Sequence, residues 1–355
     1  MTYLIGKLVN DRVIAEKQAI NELYNTGYYG RPKDDSLELT FVEAAHLLYR
    51  NKLDIELDGK SLGFEDFFKE ASMRQQYFEL KYIVYKDLKE RGFYVQSSVT
   101  DFRVYPRGGH PGKTPAKSFV YVRSERIPMP LTDLLTSLNA ATNVRKQMIL
   151  AIVDEESDLT YYEVKNVKMK GKVDANPVPE KAISSSLLED RVLVWDSASS
   201  EYLNQNGFFG KALDEERLQL SLVESAYLLS KGLIEVENSR DDSLLDLDLF
   251  SEIASSIEPD FMNKLRAYSD LRDKGFVPKT GFKFGTHFRV YDQVTSKGKI
   301  PHSGYLVHGI PKDTVFALPV MSRAIRLANS VRKRMLYAVE ERNGTSYVDI
   351  GRIKM

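Results

Sequence analysis

The pattern of apolar positions along the chain predicts a mixture of helices and strands. Alternation over 191–195 (RVLVW) and the aromatic and β-branched run at 288–291 (FRVY) predict short strands. Residues recurring at i, i+3 and i+4 predict amphipathic helices near 42–46 and 223–227. Longer helices are predicted at 78–91 and 261–274, each followed by a glycine that can end it, and at 131–150 and 321–340. We therefore expect a mixed α+β or α/β fold.

The same order of segments occurs twice. Five pairs of segments match in sequence order: 10–31 with 189–211, 37–56 with 218–237, 85–95 with 268–278, 101–105 with 287–291, and 143–148 with 330–335. The offset between partners drifts only from 179 to 187 residues. Solenoid repeats are about 20–50 residues long, so matches at this distance indicate a duplicated domain pair instead.

Each copy is expected to hold two subdomains. The predicted organisation is an N-terminal subdomain at 1–72, a second subdomain at 73–168, a linker at 169–186 rich in Pro, Ser and Lys, and the second copy at 187–258 and 259–355. Each N-terminal subdomain is predicted to be a small α/β unit. Each second subdomain is predicted to be a mixed sheet flanked by helices.

Composition and charge restrict the function classes. The 355 residues carry 50 basic and 50 acidic side chains, so a nucleic-acid surface must be a local patch. The chain has no cysteine, which excludes disulfides, thiolate metal sites and a cysteine nucleophile. The N-terminus is charged, and no run approaches the roughly 20 apolar residues that span a bilayer. We expect a soluble, cytoplasmic protein that does not use a membrane.

Candidate chemistry concentrates between residues 281 and 335. Side chains two apart share a face of a strand, which places Tyr291 and His302 on faces of consecutive strands. Arg326 and Lys333 are expected on one stripe of the helix that follows. Tyr291, His302 and Lys333 can then converge. A phenol, an imidazole and an ammonium group without a carboxylate are suited to acid–base chemistry on an anion.

Each signal alone also has an ordinary structural explanation. A tyrosine at a strand end commonly packs in a core, a single histidine is common on surfaces, and basic helix residues are usually solvated. A metal site from His287, His302 and His308 is another alternative. Their spacing matches no standard zinc pattern, and no nearby carboxylate completes a ligand set. We predict no metal and no cofactor.

The duplication helps to choose between these alternatives. In the first copy, Tyr105 and Lys146 hold the positions of the tyrosine and the lysine. Aligning AKSFVYV with PHSGYLV places Lys117 where His302 stands, and His110 lies in a Gly/Pro-rich loop where it cannot substitute without a rearrangement. The pattern indicates one working site and one degenerate site.

Three segments of the second copy, FKFGTHFRVY, HSGYLVHGIP and SRAIRLANSVRKRM, resemble the archaeal tRNA-splicing endonuclease family in its long form with two fused repeats. The resemblance covers nearly the whole chain. It implies a nuclease-type fold for each second subdomain, degenerate in the first copy, and a catalytic triad of Tyr291, His302 and Lys333. It also implies metal-independent cleavage of precursor tRNA at the intron–exon junctions of bulge–helix–bulge RNA.

The resemblance gives each triad member a role. Tyr291 is implied to be the general base on a 2′-hydroxyl, which attacks the adjacent phosphate. His302 is implied to protonate the leaving 5′-oxygen, and Lys333 to stabilise the pentacovalent phosphate. The products are a 2′,3′-cyclic phosphate and a 5′-hydroxyl. A free phenol titrates near pH ~10, so this base needs positive charge nearby.

Two arginines and an acidic turn complete what the resemblance implies. The resemblance implies that Arg326 and Arg352 clamp an unpaired bulge base; the first copy has Leu138 or Asn139 at the position of Arg326. An acidic turn of the non-catalytic repeat docks on the partner chain of a homodimer with two working sites; without the resemblance it would be an ordinary solvated turn. Its residues are Asp154, Glu155, Glu156 and Asp158.

Two other functions are weighed against this prediction. The first is a non-catalytic RNA-binding or scaffold subunit on the same fold, and the presence of His302 argues against it. The second is a metal nuclease, which needs clustered acidic residues that 281–335 lacks.

Overall fold

The computed structural model describes residues 4–173, 178–293, 303–342 and 344–355. Contacts between residues divide the chain into two units. The first unit contains Met1–Lys165, Val315–Ser322 and Gly351–Met355, and the second contains Asn166–Thr314 and Arg323–Ile350. Each unit therefore holds most of one repeat.

The first unit begins with a six-stranded sheet. Its strands are β1 (Ile5–Val9), β2 (Arg12–Glu16), β3 (Arg31–Lys33), β4 (Ser36–Leu39), β5 (Asp54–Leu57) and β6 (Lys60–Leu62). The helices are α1 (Lys17–Ala19), a π-helical turn (Ile20–Tyr24), α2 (Asn25–Gly27), α3 (Phe41–Tyr49) and α4 (Phe64–Arg74). The strand order is β3-β4-β2-β1-β5-β6. Helix α3 begins with a capping box, in which Thr40 and Glu43 satisfy each other's free backbone N–H groups.

The second subdomain of this unit is a mixed sheet with two helices. Its elements are α5 (Phe78–Glu90), β7 (Val95–Ser98), β8 (Asp101–Val104), β9 (Ser118–Ser124), β10 (Met129–Pro130), α6 (Leu131–Asn143), β11 (Gln147–Val153) and β12 (Leu159–Asn166). The main strands run in the order β7-β8-β9-β11-β12. Strands β9 and β11 are parallel, and the other neighbours are antiparallel.

The second unit repeats the N-terminal subdomain. Its elements are β13 (Ile183–Leu187), β14 (Val192–Val194), α7 (Ser197–Gly207), β15 (Lys211–Ala212), β16 (Leu218–Leu220), α8 (Leu222–Ser230), β17 (Ile234–Asn238), β18 (Leu244–Leu245) and α9 (Leu247–Ile257). The order β15-β16-β14-β13-β17-β18 is that of the first copy. Helix α8 has the equivalent capping box, formed by Ser221 and Glu224.

The remaining elements form the second copy of the mixed sheet. They are α10 (Phe261–Asp273), β19 (Val277–Thr280), a 3-10 turn (Phe282–Phe284), β20 (Phe288–Tyr291), β21 (Tyr305–Ile310), β22 (Val315–Phe316), α11 (Leu318–Ser330), β23 (Arg334–Glu341) and β24 (Gly344–Ile353). The strand order within this copy is β19-β20-β21-β23-β24, with β21 and β23 parallel. Two tandem copies of an α/β subdomain and a mixed sheet confirm the predicted fold class.

Helices α5 and α10 end as predicted. Gly92 and Gly275 follow them with φ values of 84° and 79°, in the left-handed region where glycine has no steric penalty. Large aromatic side chains on these helices are fully buried, and they anchor the helices on the sheets. They include Phe78 and Tyr85 in the first unit and Phe261 and Tyr268 in the second. Among the described residues, no helix is long and apolar enough to cross a membrane.

The helices predicted at 131–150 and 321–340 are wrong in their second halves. Helix α6 ends at Asn143 and helix α11 at Ser330, and the remaining residues form strands β11 and β23. The chain turns at Arg145 and Arg332, which both have a φ of 57°. The apolar residues that follow are buried on both faces of a sheet, and such a strand cannot be told from a buried helix by periodicity alone. Lys333 therefore lies in a turn and shares no helical stripe with Arg326.

Strand β13 begins at Ile183, inside the segment predicted as a linker at 169–186. The strand pairs with β17 in parallel, and the buried Ser185 hydroxyl donates to the carbonyl of Glu235 at 2.7 Å. A serine-rich strand of this kind has little apolar signal, which explains why the sequence indicated a linker there.

Candidate active site

Tyr291 and Lys333 lie at the same level of the sheet, on either side of one strand. Tyr291 is on β20, Lys333 directly precedes β23, and β21 lies between them. Strand β20 pairs with β21 as far as Val290 and Tyr305, so Gly304 is the next residue opposite Tyr291. The carbonyl of Gly304 accepts a hydrogen bond from the N–H of Arg334 on β23 at 3.1 Å. Tyr305 is paired with Arg334, so Lys333 lies level with Gly304 on the other side of β21. Neighbouring strands are about 4.8 Å apart, so the Cα atoms of Tyr291 and Lys333 are separated by about 10 Å.

Lys333 is fixed by the turn that joins α11 to β23. Its N–H donates to the carbonyl of Ala328 at 2.9 Å, and its Nζ donates to the carbonyl of Ser303 at 2.6 Å. Ser303 is buried and follows His302 in the sequence. Partial burial and the positive charge of Arg289 lower the pKa of Lys333. The ammonium group is therefore held at Ser303, the residue that follows the predicted general acid in the sequence.

Tyr291 ends strand β20 and is only 7% exposed. The guanidinium carbon of Arg289, two residues earlier on the same face, lies 5.8 Å from the centre of its ring. Among the described residues, its hydroxyl has no hydrogen-bond partner. Among the described residues, no heavy atom lies within 4 Å of a Cβ atom added at Gly304, so these residues leave space between the strand of Tyr291 and the strand that follows Lys333.

His302 lies outside the described residues, so its place in the triad stays a prediction. The strand registers do correct its counterpart in the first copy. Lys117 donates its N–H to the carbonyl of Val104 and is therefore opposite Tyr105, as Gly304 is opposite Tyr291. The predicted match of Lys117 with His302 is wrong by two residues, because the alignment followed a shared serine and not the hydrogen-bond ladder. Counting back two positions pairs Pro115 with His302.

The first copy uses its tyrosine and its histidine in other contacts. The Tyr105 hydroxyl donates to Gln96 Oε1 at 2.6 Å, and burial raises the pKa of Tyr105 although Arg103 opposes the shift. The ring of His110 stacks on the ring of Tyr28 at 4.5 Å. These residues are held by protein groups, in agreement with a degenerate site.

The other two histidines of the metal alternative form a packed pair. The rings of His287 and His308 are 3.8 Å apart, and the N–H of Gly309 donates to His287 Nδ1 at 3.1 Å. Burial, together with the charge of His308, lowers the pKa of His287 to about 3, and burial also lowers that of His308. Within the described ranges, no three His, Asp or Glu side chains are grouped to hold a metal ion.

The two candidate RNA-binding arginines are both exposed. Arg326 projects from α11, and the register of the two copies places Asn139 at the equivalent position of α6, not Leu138. Arg352 lies near the end of β24. Neither side chain forms a salt bridge with another described residue, and both are exposed, so both guanidinium groups are accessible to a ligand.

The acidic turn joins β11 to β12. Asp154 stabilises it by accepting the N–H groups of Glu156 and Asp158 at 3.0 and 2.8 Å. Glu155 forms an exposed ion pair with Arg126 at 3.0 Å. The carboxylates of Glu156 and Asp158 are exposed. The turn is thus a defined structure that presents negative charge to solvent.

One charged residue beside the candidate site, Lys279, was not singled out from the sequence. Lys279 on β19 is directly opposite Arg289 on β20, and its Nζ donates to Glu224 Oε1 at 3.1 Å. Burial alone would raise the pKa of the Glu224 carboxyl, but the charge of Lys279 and the hydrogen bond from Ser221 lower it. The available signal was a difference between the repeats, since Gln96 stands where Lys279 is found.

Comparison with known families identifies both kinds of subdomain. The model for the N-terminal domain of tRNA intron endonucleases matches residues 4–68 and 183–250, and the model for the catalytic C-terminal domain matches residues 78–161 and 261–348. Two tandem copies of each domain define a two-repeat RNA endonuclease. The chain belongs to the tRNA intron endonuclease family.

Several relatives match this chain over nearly the whole length of both proteins. The chain is 64% identical over 350 residues to a tRNA-splicing endonuclease of Methanococcoides burtonii, with 99% of each chain covered. It is 61% identical over 355 residues to that of Methanosarcina mazei, with 100% of each chain covered. A more distant relative from Haloarcula marismortui is 35% identical over 348 residues, with 95% of each covered.

Proposed function

We propose that this protein is a tRNA-splicing endonuclease that cuts precursor tRNA at the intron–exon junctions of bulge–helix–bulge RNA. The observation that carries the proposal is the level arrangement of Tyr291, Gly304 and Lys333, with Lys333 Nζ bound to the carbonyl of Ser303, the residue after His302 in the sequence. It supports a phenol, an imidazole and an ammonium group acting on one phosphate. Family membership supports the RNA substrate.

In the proposed reaction, the 2′-oxygen forms a bond to the adjacent phosphorus while Tyr291 accepts the 2′-hydroxyl proton. The bond from phosphorus to the 5′-oxygen breaks while His302 donates a proton to that oxygen. Lys333 offsets the negative charge that the phosphate gains in the pentacovalent state. The products are a 2′,3′-cyclic phosphate and a 5′-hydroxyl, and a proton moves from Tyr291 to His302 through solvent to restore the site.

The test is cleavage of a bulge–helix–bulge RNA with analysis of the ends. We expect cyclic phosphate and 5′-hydroxyl ends, with full activity in EDTA, because the proton transfers and the charge stabilisation come from side chains. A strict requirement for a divalent metal ion would contradict the mechanism. RNA that is retarded on a gel but never cut would instead indicate a non-catalytic RNA-binding subunit.

Arg326 is proposed to contact an unpaired bulge base, because its guanidinium group is exposed on α11 and the first copy has Asn139 there. Replacing Arg326 with alanine should weaken RNA binding by roughly 1–3 kcal/mol, the usual value of one stacking contact to a base. The affinity is measured with an uncleavable RNA that carries a 2′-deoxy residue at the cut site.

The control for this substitution is an RNA that lacks the base at the bulge position. If Arg326 stacks on that base, wild type and Arg326→Ala should bind the abasic RNA about equally. An unchanged difference between the two proteins would mean that Arg326 contacts only phosphate. Arg352→Ala can be compared with wild type on the same two RNAs.

We also propose that two chains associate through the acidic turn. Glu156 and Asp158 are exposed while Asp154 shapes the turn, so their charges are available to a partner. Reversing them in Glu156→Lys/Asp158→Lys should weaken the dimer at least about tenfold, because like charges then meet across the interface. Sedimentation at several concentrations measures the change.

The second copy supplies a matched control in the turn between β23 and β24. Glu341 is exposed there and accepts a hydrogen bond from the Ser346 hydroxyl at 3.0 Å. Glu341→Lys should leave the dimer intact. Equal weakening by both variants would point to a general effect of net charge and would remove the acidic turn from the interface.

A further inference from the structure

The two repeats differ in the residue on the strand that neighbours the tyrosine's strand. In the first repeat, Gln96 is opposite Arg103 on the neighbouring strand and accepts the hydroxyl hydrogen of Tyr105 at 2.6 Å. In the second repeat, Lys279 has the position of Gln96, opposite Arg289. A lysine cannot accept a hydrogen bond from a phenol. The substitution removes the group that occupies the hydroxyl in the first copy and adds a positive charge.

Lys279 is held in place by the N-terminal subdomain. Its Nζ donates to Glu224 Oε1 and to the carbonyl of Gly210, both at 3.1 Å, and its side chain is only 17% exposed. Glu224 also accepts the N–H of Gly210 and both the N–H and the hydroxyl of Ser221. The carboxylate is thereby saturated with donors, which fixes the position of the lysine.

The fold alone does not require this lysine. Glu43 in the first repeat is as deeply buried as Glu224 and accepts the same backbone donors, yet Gln96 holds the position of Lys279 there. One cation faces the carboxylate in both copies. It is Lys89 in the first, where burial lowers the pKa to about 8 and the Glu43 charge opposes the shift, and Arg272 in the second. Lys279 is therefore an additional cation found only in the copy with the proposed site.

We propose that Lys279 is a positioning residue of the nuclease site: it leaves the Tyr291 hydroxyl without the amide acceptor that Gln96 gives Tyr105 and, with Arg289, supplies positive charge beside the phenol. The proposal rests on the function proposed above, in which Tyr291 is the general base. A general base of this type must lose its proton, and neighbouring cations favour the phenolate.

The charged groups around Lys279 and Tyr291 come from four parts of the fold. Arg289 is on the strand of Tyr291, Lys333 precedes β23, and Arg272 on α10 faces Lys279 and Glu224. Glu224 on α8 is the single anion in this group, and its charge is shared between Lys279 and Arg272. Cations therefore outnumber the anion in this group.

The test imports the residue of the first repeat into the second. Lys279→Gln should reduce the cleavage rate at neutral pH by about tenfold and move the ascending limb of the pH–rate profile to higher pH by about one unit, the shift expected for loss of a unit charge ~10 Å away at an effective dielectric constant of ~20. Affinity for uncleavable RNA should stay within about twofold, since Lys279 is buried. Lys279→Arg keeps the charge and should keep the wild-type profile.

Two further variants separate this effect from a loss of folding. Lys279→Gln leaves Glu224 with fewer donors, so Lys279→Gln/Glu224→Gln removes the buried carboxylate as well and should shift the profile by less than Lys279→Gln, because the lost anion offsets part of the lost cation. Gln96→Lys makes the reverse change in the first repeat and should leave the kinetics unchanged. If Tyr291→Phe is inactive but the pH–rate profile of Lys279→Gln overlays that of wild type, as that of Lys279→Arg should, the proposed role of Lys279 is wrong while the nuclease function stands. If Tyr291→Phe is fully active, the proposed function itself fails.

Discussion

Replacing His302 with alanine is expected to slow cleavage by roughly 10²–10⁴, the usual contribution of a general acid or base. The leaving 5′-oxygen would have to depart as an alkoxide or take its proton from water. Binding of uncleavable RNA should be unchanged, because the proposed affinity comes from Arg326, Arg352 and phosphate contacts. Single-turnover cleavage at saturating enzyme measures the chemical step without a contribution from binding.

His110 provides the control for this substitution. It is the histidine of the first copy, and its ring is stacked on Tyr28, where it has a structural contact only. His110→Ala should cleave at the wild-type rate. A second check uses a substrate with a 5′-thio leaving group, which needs no proton to depart. If His302 is the acid, this substrate should restore most of the lost rate, and a failure to do so would assign His302 another role.

Local features of the sequence predicted part of the fold correctly. Gly92 and Gly275 mark the ends of α5 and α10 because a left-handed residue there needs no side chain. The duplication was visible from matched segments alone. The ends of α6 and α11 could not be predicted in the same way, since the left-handed residues are Arg145 and Arg332. Arginine carries no signal for that conformation, and the buried strands that follow are as apolar as a helix.

The candidate site, like the fold, could be predicted only in part from the sequence. Tyr291 and Lys333 were predicted from their types and from the repeat, and the strand register brings them level. The register itself depends on hydrogen bonds between strands, so aligning the repeats by their serines misplaced Lys117 by two residues. The contact between Glu224 and Lys279 joins residues far apart in the sequence, and no periodicity reports such a pair.

The strongest internal comparison is between the two tyrosines. Tyr291→Phe should reduce the cleavage rate by roughly 10²–10⁴, because the 2′-hydroxyl loses its general base while the ring still fills its place in the sheet. The free energy of unfolding should change little, since the Tyr291 hydroxyl has no partner among the described residues. Cleavage rates and urea unfolding are measured on the same preparations.

Tyr105→Phe should give the opposite result. Its hydroxyl donates to Gln96 at 2.6 Å, so its removal leaves a partly buried amide oxygen without this donor and should cost about 1 kcal/mol of stability. Cleavage should continue at the wild-type rate, because the first copy has no counterpart of His302 in either alignment. The equivalent substitution thus affects catalysis in one repeat and stability in the other. Loss of activity in Tyr105→Phe would mean that the first copy is a second working site, with four sites in a dimer instead of two.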